Sequence, residues 1–224
     1  MKLSTSYSPE PLRFTRLSDD VAERRSDEFL HLMAQRRSVR QFSGEPVSRR
    51  LVDNALRVAA SAPSGANRQP WEFVVVEDPA TKARIRVAAE REEELLYGER
   101  ASQEYLEALE PIGTDSVKPH LTDAPVLIVV FEQPWSRDTN GEKRRNYYVR
   151  ESVGIAVGFL LAALHQAGVG TLTHAPSPMG FLNEIVGRPP HLRAFLVIAA
   201  GYPAADAVVP HLERKPFDEV VDYS

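Results

Sequence analysis

Five short segments of this 224-residue chain carry residue types that could do chemistry. In RRSVR, Arg36, Arg37 and Arg40 present planar, permanently charged forks suited to phosphate oxygens, and the Ser38 hydroxyl adds a donor. In APSGANRQPW, from Ala62 to Trp71, Pro63, Gly65 and Pro70 stiffen a turn around Ser64 and Ala66. Its small residues let the backbone approach a planar ligand, while Asn67 and Gln69 offer amides to a heterocycle edge. Glu93 and Tyr97 in EREEELLYGE stand at i and i+4, where a carboxylate and a phenol can meet an ammonium and a second polar group. THAP (Thr173, His174, Ala175, Pro176) falls where a strand should end, a common place for ligand contacts, and ERKP adds Arg214 and Lys215 near the C-terminus. Taken singly, each segment also fits a plainer surface: a solvated basic helix end, a connector, an acidic face.

Other chemistries have no residues to carry them. There is no cysteine, which removes disulfides, thiol nucleophiles, Fe–S clusters and thiolate zinc sites. The histidines (His31, His120, His165, His174, His191, His211) show no HExxH or similar ligand spacing, so no metal is expected. No GxSxG elbow, GxxxxGK[ST] loop or GxGxxG after a strand occurs. Lys plus Arg is 27 against 31 Asp plus Glu, a formal charge of −4, without the basic excess of a nucleic-acid binder. The longest apolar run, Val153 to Leu164, has 12 residues, against roughly 20 for a membrane span. The N-terminal residues lack the apolar stretch of a signal peptide, and the expected location is the cytoplasm.

Period and punctuation place the segments on elements. Helices are expected from Val21 to Gln35 with Asp19 or Asp20 as N-cap, from Ser48 to Ser61, and from Pro79 to about Tyr97. Further helices are expected from Glu151 to Ala167 and around Pro178 to Val186. Trp71–Glu77, Pro125–Glu132, Val169–His174 and Phe195–Pro203 read as strands, with SRDTNGEKRR as a polar loop. Strands separated by helices indicate one α/β or α+β layered domain over 1–224 with a mixed sheet. An N-terminal arm (1–20) and an extended C-terminal arm (205–224) flank it.

Together, RRSVRQFSGEPV, APSGANRQPWEFVVVEDP, EEELLYGER, LTDAPVLIVVFEQ, RRNYYVRESVGIAVGFLLAALHQAG and GYPAADAVVPHLERKPFDEV resemble, in order and from about Gln35 onward, the nitroreductase superfamily of FMN enzymes, and within it the iodotyrosine deiodinase branch. The resemblance implies an α+β fold with a mixed central sheet flanked by helices, in an intertwined homodimer with exchanged C-terminal arms. It implies that Arg36, Arg37, Ser38, Arg40 and Arg214 hold the FMN phosphate and ribityl chain. Pro63, Ser64, Gly65 and Asn67 would line the flavin, and Thr173, His174 and Ala175 would pass near its reactive edge.

The same branch grips an amino-acid zwitterion with an insert, here 91–118. Glu93 would take the ammonium, Lys118 and Tyr97 the carboxylate, and the Ala66 amide would face a phenolate. The implied activity is reductive dehalogenation of a halogenated tyrosine or similar aromatic amino acid, with NAD(P)H as a candidate reductant. One position departs from the pattern. The branch has a threonine before the proline of THAP whose hydroxyl bonds flavin N5 and favours one-electron steps, and here it is Ala175. That departure keeps open an NAD(P)H-dependent nitroreductase acting on small nitroaromatics by two-electron, hydride-type reduction.

Overall fold

The computed structural model describes residues 8–224, and the chain divides into two compact units after Gln35. The first holds helix α1 (Asp19–Ala34). Its N-cap is Ser18, not Asp19 or Asp20; those carboxylates occupy the first turn, where the positive end of the helix dipole favours them. Of the N-terminal arm expected over 1–20, residues 1–7 lie outside the described residues.

The second unit, 36–224, contains helices α2 (Arg49–Ala60), α3 (Pro79–Leu95), α4 (Gln103–Leu109), α5 (His120–Asp123), α6 (Val149–Gln166) and α7 (Gly180–Ile185). Its strands are β1 (Trp71–Val76), β2 (Val126–Glu132), β3 (Trp135–Arg137), β4 (Lys143–Arg145), β5 (Gly170–His174) and β6 (Arg193–Gly201). The main sheet runs β1-β2-β6-β5 with every neighbouring pair antiparallel. Its parallel component lies at the outer edge, where Ser38 bridges Thr171 and the Val39 N–H donates to Thr171 O at 2.9 Å.

Both faces of this sheet are covered, which explains why β2 is apolar without alternation. Successive strand side chains point to opposite faces. Leu127, Val129 and Phe131 accordingly join Val197, Ala199 and Leu172 against Ile85 and Ala89 of α3, Leu121 of α5 and Leu182 of α7. Val126, Ile128 and Val130 join Ile198 and Ala200 against Val52, Ala55 and Ala59 of α2 and Val153, Leu160 and Leu164 of α6. The result is a three-layer α+β sandwich.

Two expectations need correction. SRDTNGEKRR is not a loop throughout: β3 and β4 pair as a hairpin, with Trp135 opposite Arg145. Three-residue strands are too short to show alternation, and the turn forms because the Asp138 carboxylate accepts from the backbone N–H groups of Asn140 (3.0 Å) and Glu142 (2.9 Å). Tyr97 is not on a regular helical face with Glu93. α3 ends at Leu95 and continues as a wide π-type turn over Leu96–Arg100. Arg100 braces that turn from its Nη2, donating to the Glu92 carbonyl and carboxylate, both at 2.8 Å. Residues 91–118, expected as a lid, continue through α4 and a short turn at Glu110–Ile112.

Candidate functional site

A cavity of about 270 Å³ lies between the end of α3, the 91–118 segment and the end of β5. Its walls include Arg40, Glu93, Tyr97, Lys118, His120, Thr173, His174 and Ala175. The parallel bridge at Ser38 explains how Arg40 arrives there, since two residues further along it runs beside the end of β5. Strand alternation then turns His174 inward and leaves Thr173 and Ala175 exposed.

Four charged or titratable side chains are buried together here: Glu93, Lys118, His120 and His174. Glu93 Oε1 lies 3.0 Å from His174 Nε2, and Glu93 Oε2 lies 3.4 Å from Lys118 Nζ. His174 Nδ1 lies 3.3 Å from His120 Nε2. Lys118 Nζ also donates to Thr114 Oγ1 at 3.0 Å and to the Asp115 carbonyl. Tyr97 OH donates to the Thr114 carbonyl at 3.3 Å, and its ring lies under Lys118 Nζ.

Burial alone would push the Glu93 carboxyl up, but the hydrogen bond from His174 and the charges of Lys118 and His174 outweigh it and hold the pKa below the usual carboxylate value. Burial pushes the Tyr97 phenol up and the Arg40 guanidinium down. His120 is lowered to about 3 by burial and by the neighbouring charges of His174, Lys118, Arg40 and Arg86. It is therefore a neutral imidazole at physiological pH. A carboxylate and an ammonium side by side, with a phenol at hand, form a counterpart for a zwitterion.

The turn after α2 forms a second group, separate from the cavity lining. Ala66, Asn67 and Gln69 all adopt positive φ, a left-handed conformation that is costly for non-glycine residues. Several bonds hold it. Ser64 Oγ accepts the Gln69 N–H at 2.9 Å, and Arg68 reaches Asn146 Oδ1 (3.0 Å) and Ser136 Oγ (3.2 Å) from its Nε and Nη2. The Gly65 N–H donates to Ser152 Oγ at 3.3 Å, at the start of α6. The amides of Asn67 and Gln69 bond one another at 3.1 Å. Pro63, Ala66 and Asn67 are exposed.

A Cβ at Gly65 would stand 2.7 Å from Tyr148 Cδ2 and 2.8 Å from the Tyr147 carbonyl oxygen. Gly65→Ala is therefore expected to lift the turn off α6 and lower stability by about 1–3 kcal/mol, as overpacking against backbone does. Chemical denaturation of the purified variant measures it.

The cations form the third group. The C-terminal arm folds back along Arg36–Gln41, where Ala204 N–H donates to Gln41 O at 3.0 Å and Val208 N–H to Gln41 Oε1 at 2.8 Å. Arg37 donates to the Pro210 carbonyl, and Arg214 Nη2 donates to the Arg36 carbonyl at 3.0 Å. The Arg37 and Arg214 side chains thus join the two ends of this unit through backbone carbonyls, which brings Arg214 to the Arg36–Ser38 segment. Arg40 is the residue of RRSVR that points to the cavity instead.

Sequence reasoning missed His120, Arg68, Asn146 and Ser152. His120 sits two residues beyond Lys118, which is the sole local signal for it. The other three act on the turn from distant positions. Among the described residues there is no cluster of three or more acidic residues and histidines arranged to hold a metal, and no helix long and apolar enough to cross a membrane.

Comparison with known proteins agrees with this geometry. The Nitroreductase family profile matches residues 33–202. The iodotyrosine deiodinase of Haliscomenobacter hydrossis is 53% identical over 191 residues, 85% of this chain and 86% of that protein. Human iodotyrosine deiodinase 1 is 43% identical over 199 residues, 88% of this chain and 69% of that one. A crystal structure of oxidised iodotyrosine deiodinase bound to FMN and 3-iodo-L-tyrosine superposes with a TM-score of 0.76 at 32% identity, over 88% of this chain and 98% of that one. The chain belongs to the nitroreductase family and groups within it with the iodotyrosine deiodinases.

Proposed function

We propose that this chain is an FMN-dependent oxidoreductase that removes halogen from a halogenated tyrosine or a closely similar aromatic amino acid. The observation that carries the reading is the buried Glu93–Lys118 pair at 3.4 Å, in a cavity that Thr173–Ala175 also line. Glu93 takes the substrate ammonium, and Lys118 with the Tyr97 hydroxyl takes its carboxylate. Entry of the zwitterion replaces one internal ion pair by two intermolecular ones, so binding need not leave a buried charge unpaired.

The residues present fit FMN. The Arg214 side chain reaches the backbone of Arg36, next to Arg37 and Ser38, and the Pro63–Asn67 turn offers exposed, preset backbone. Arg36, Arg37 and Arg214 hold the phosphate, Arg40 reaches toward the ribityl chain, and Pro63, Ser64, Gly65 and Asn67 line the ring system. Bound FMN supplies the redox chemistry, with NAD(P)H as the source of electrons. The protein's part is to place the substrate ring, exclude water and fix charges around it.

A homodimer belongs to the same proposal. The turn at Pro63–Asn67, with the Ala66 amide that would face the phenolate, is absent from the cavity lining, so a second copy is the natural source of the missing wall. Two surfaces support this. α6 exposes Gly154, Ile155, Gly158 and Phe159 on the side opposite its core stripe. Beyond Arg214, the C-terminal arm exposes Phe217, Val220 and Tyr223, apolar side chains suited to an exchanged arm.

The test is anaerobic. FMN-loaded protein is reduced chemically, and flavin absorbance is followed after adding iodotyrosine or a nitroaromatic. Reoxidation by iodotyrosine with stoichiometric iodide is expected. Reoxidation by the nitroaromatic alone overturns the reading and favours a nitroreductase, for which the specific support is Ala175, a position on the cavity wall with no hydroxyl to offer flavin N5.

A further inference from the structure

Glu93 is held from two sides by different partners. Oε1 belongs to His174 at 3.0 Å and Oε2 to Lys118 at 3.4 Å. Only the second partner is of the kind a zwitterion would displace, because Lys118 has a substrate carboxylate to turn to and His174 does not. The His174 ring is itself backed by His120, whose Nε2 lies 3.3 Å from its Nδ1, and both rings are buried.

These contacts fix how the Glu93 carboxylate is held. A nitrogen 3.0 Å from a carboxylate donates, so His174 carries a proton on Nε2. His120 Nε2 meets the other ring nitrogen, Nδ1, and holds the ring in place. Glu93 is thus anchored at Oε1, which leaves its Oε2 facing Lys118 and the cavity.

We propose that His174, backed by His120, is a positioning residue that presents Glu93 Oε2 to a substrate ammonium and makes this pocket select α-amino acids over their des-amino counterparts. The inference rests on the reading of Glu93 and Lys118 as the zwitterion grip, and adds the residues that preorganise it. Without His174, Oε1 loses its donor and the carboxylate can collapse fully onto Lys118, the arrangement that a substrate must break. A des-amino acid needs only Lys118 and Tyr97 and is indifferent to that change.

Oxidised, FMN-loaded protein is titrated with iodotyrosine and with iodo-hydroxyphenylpropionate, and binding is read from quenching of flavin fluorescence. FMN content and melting temperature are measured alongside. Two amide variants separate position from polarity. His174→Gln places an N–H near Nε2 and reaches Glu93, whereas His174→Asn places one near Nδ1 and does not. His174→Asn is expected to lose about ten-fold or more in preference for iodotyrosine over the des-amino acid, the worth of a hydrogen bond to a charged group. His174→Gln is expected to keep most of it.

Equal preference in His174→Asn and the parent, or equal loss in both variants, overturns the proposal. Failure of the underlying reading looks different: the parent protein itself would not distinguish the two ligands, and Glu93→Gln would change neither affinity.

Discussion

Replacing Lys118 by methionine is expected to remove about 3–5 kcal/mol of stability and, in whatever folded protein remains, to abolish measurable binding of an aromatic amino acid. Lys118 and Glu93 have side chains only 5% and 8% exposed, and breaking such a pair leaves an uncompensated buried charge at a cost in that range. The lost lysine also strands Thr114 Oγ1 and the Asp115 carbonyl, its other acceptors. A double substitution separates the two effects. Lys118→Met with Glu93→Gln removes both charges, so stability is expected to recover by about 2 kcal/mol or more relative to Lys118→Met, while binding stays lost. Denaturant unfolding of the four proteins of this cycle gives the coupling. Simple additivity would mean that the two side chains do not act as a pair.

Acidification is the second lever. His120 titrates at about 3 in the folded protein but at about 6.5 when unfolded. The unfolded chain then binds the extra proton first, so the stability that His120 contributes is complete above pH 6.5 and drains away as pH falls toward 3. The slope from this one group approaches 1.4 kcal/mol per pH unit within the window. Glu93, whose folded pKa is depressed, acts in the same direction at more acid pH, below the usual carboxylate value. The groups facing His120 from the surrounding elements, His174, Lys118, Arg40 and Arg86, are those that resist its charge. His120→Gln keeps a donor near Nε2 without titrating. Denaturant midpoints measured at about pH 7, 6 and 5 are expected to fall for the parent and to stay nearly level for His120→Gln; parallel curves would mean that His120 is solvated.

These two expectations both concern a cluster of which the amino-acid order disclosed about half. That Glu93, Tyr97 and Lys118 belong together was legible because their spacing matches a branch of a known family, and the structure lines one cavity with all three. His174 was expected from the resemblance beside a flavin edge, and its contact with Glu93 was not foreseen. His120 was not legible at all. It lies 54 residues from His174, and no local pattern records that the short α5 helix and the end of β5 will set two rings in contact.

The fold divides in the same way. Helices and strands fell within a few residues of their positions because burial periodicity and the punctuation of proline and glycine are local properties. The apolar run of β2 announced a strand covered on both faces, but its direction relative to β1 and β6 depends on pairing with residues far along the chain, and those pairs are antiparallel. The hairpin of β3 and β4 and the wide turn at Leu96–Arg100 escaped for a related reason. Their causes are an Asp138 side chain capping its own turn and Arg100 reaching back to Glu92.

What the sequence determined by itself, then, is which residues are apolar, which turn the chain, and which carry charge suited to a phosphate and a zwitterion. The tertiary structure alone decided which of these meet. Only packing β5 against α3 and α5 buries Glu93 with Lys118 and two imidazoles, and only burial gives those contacts their strength, since the same charges in water would interact weakly.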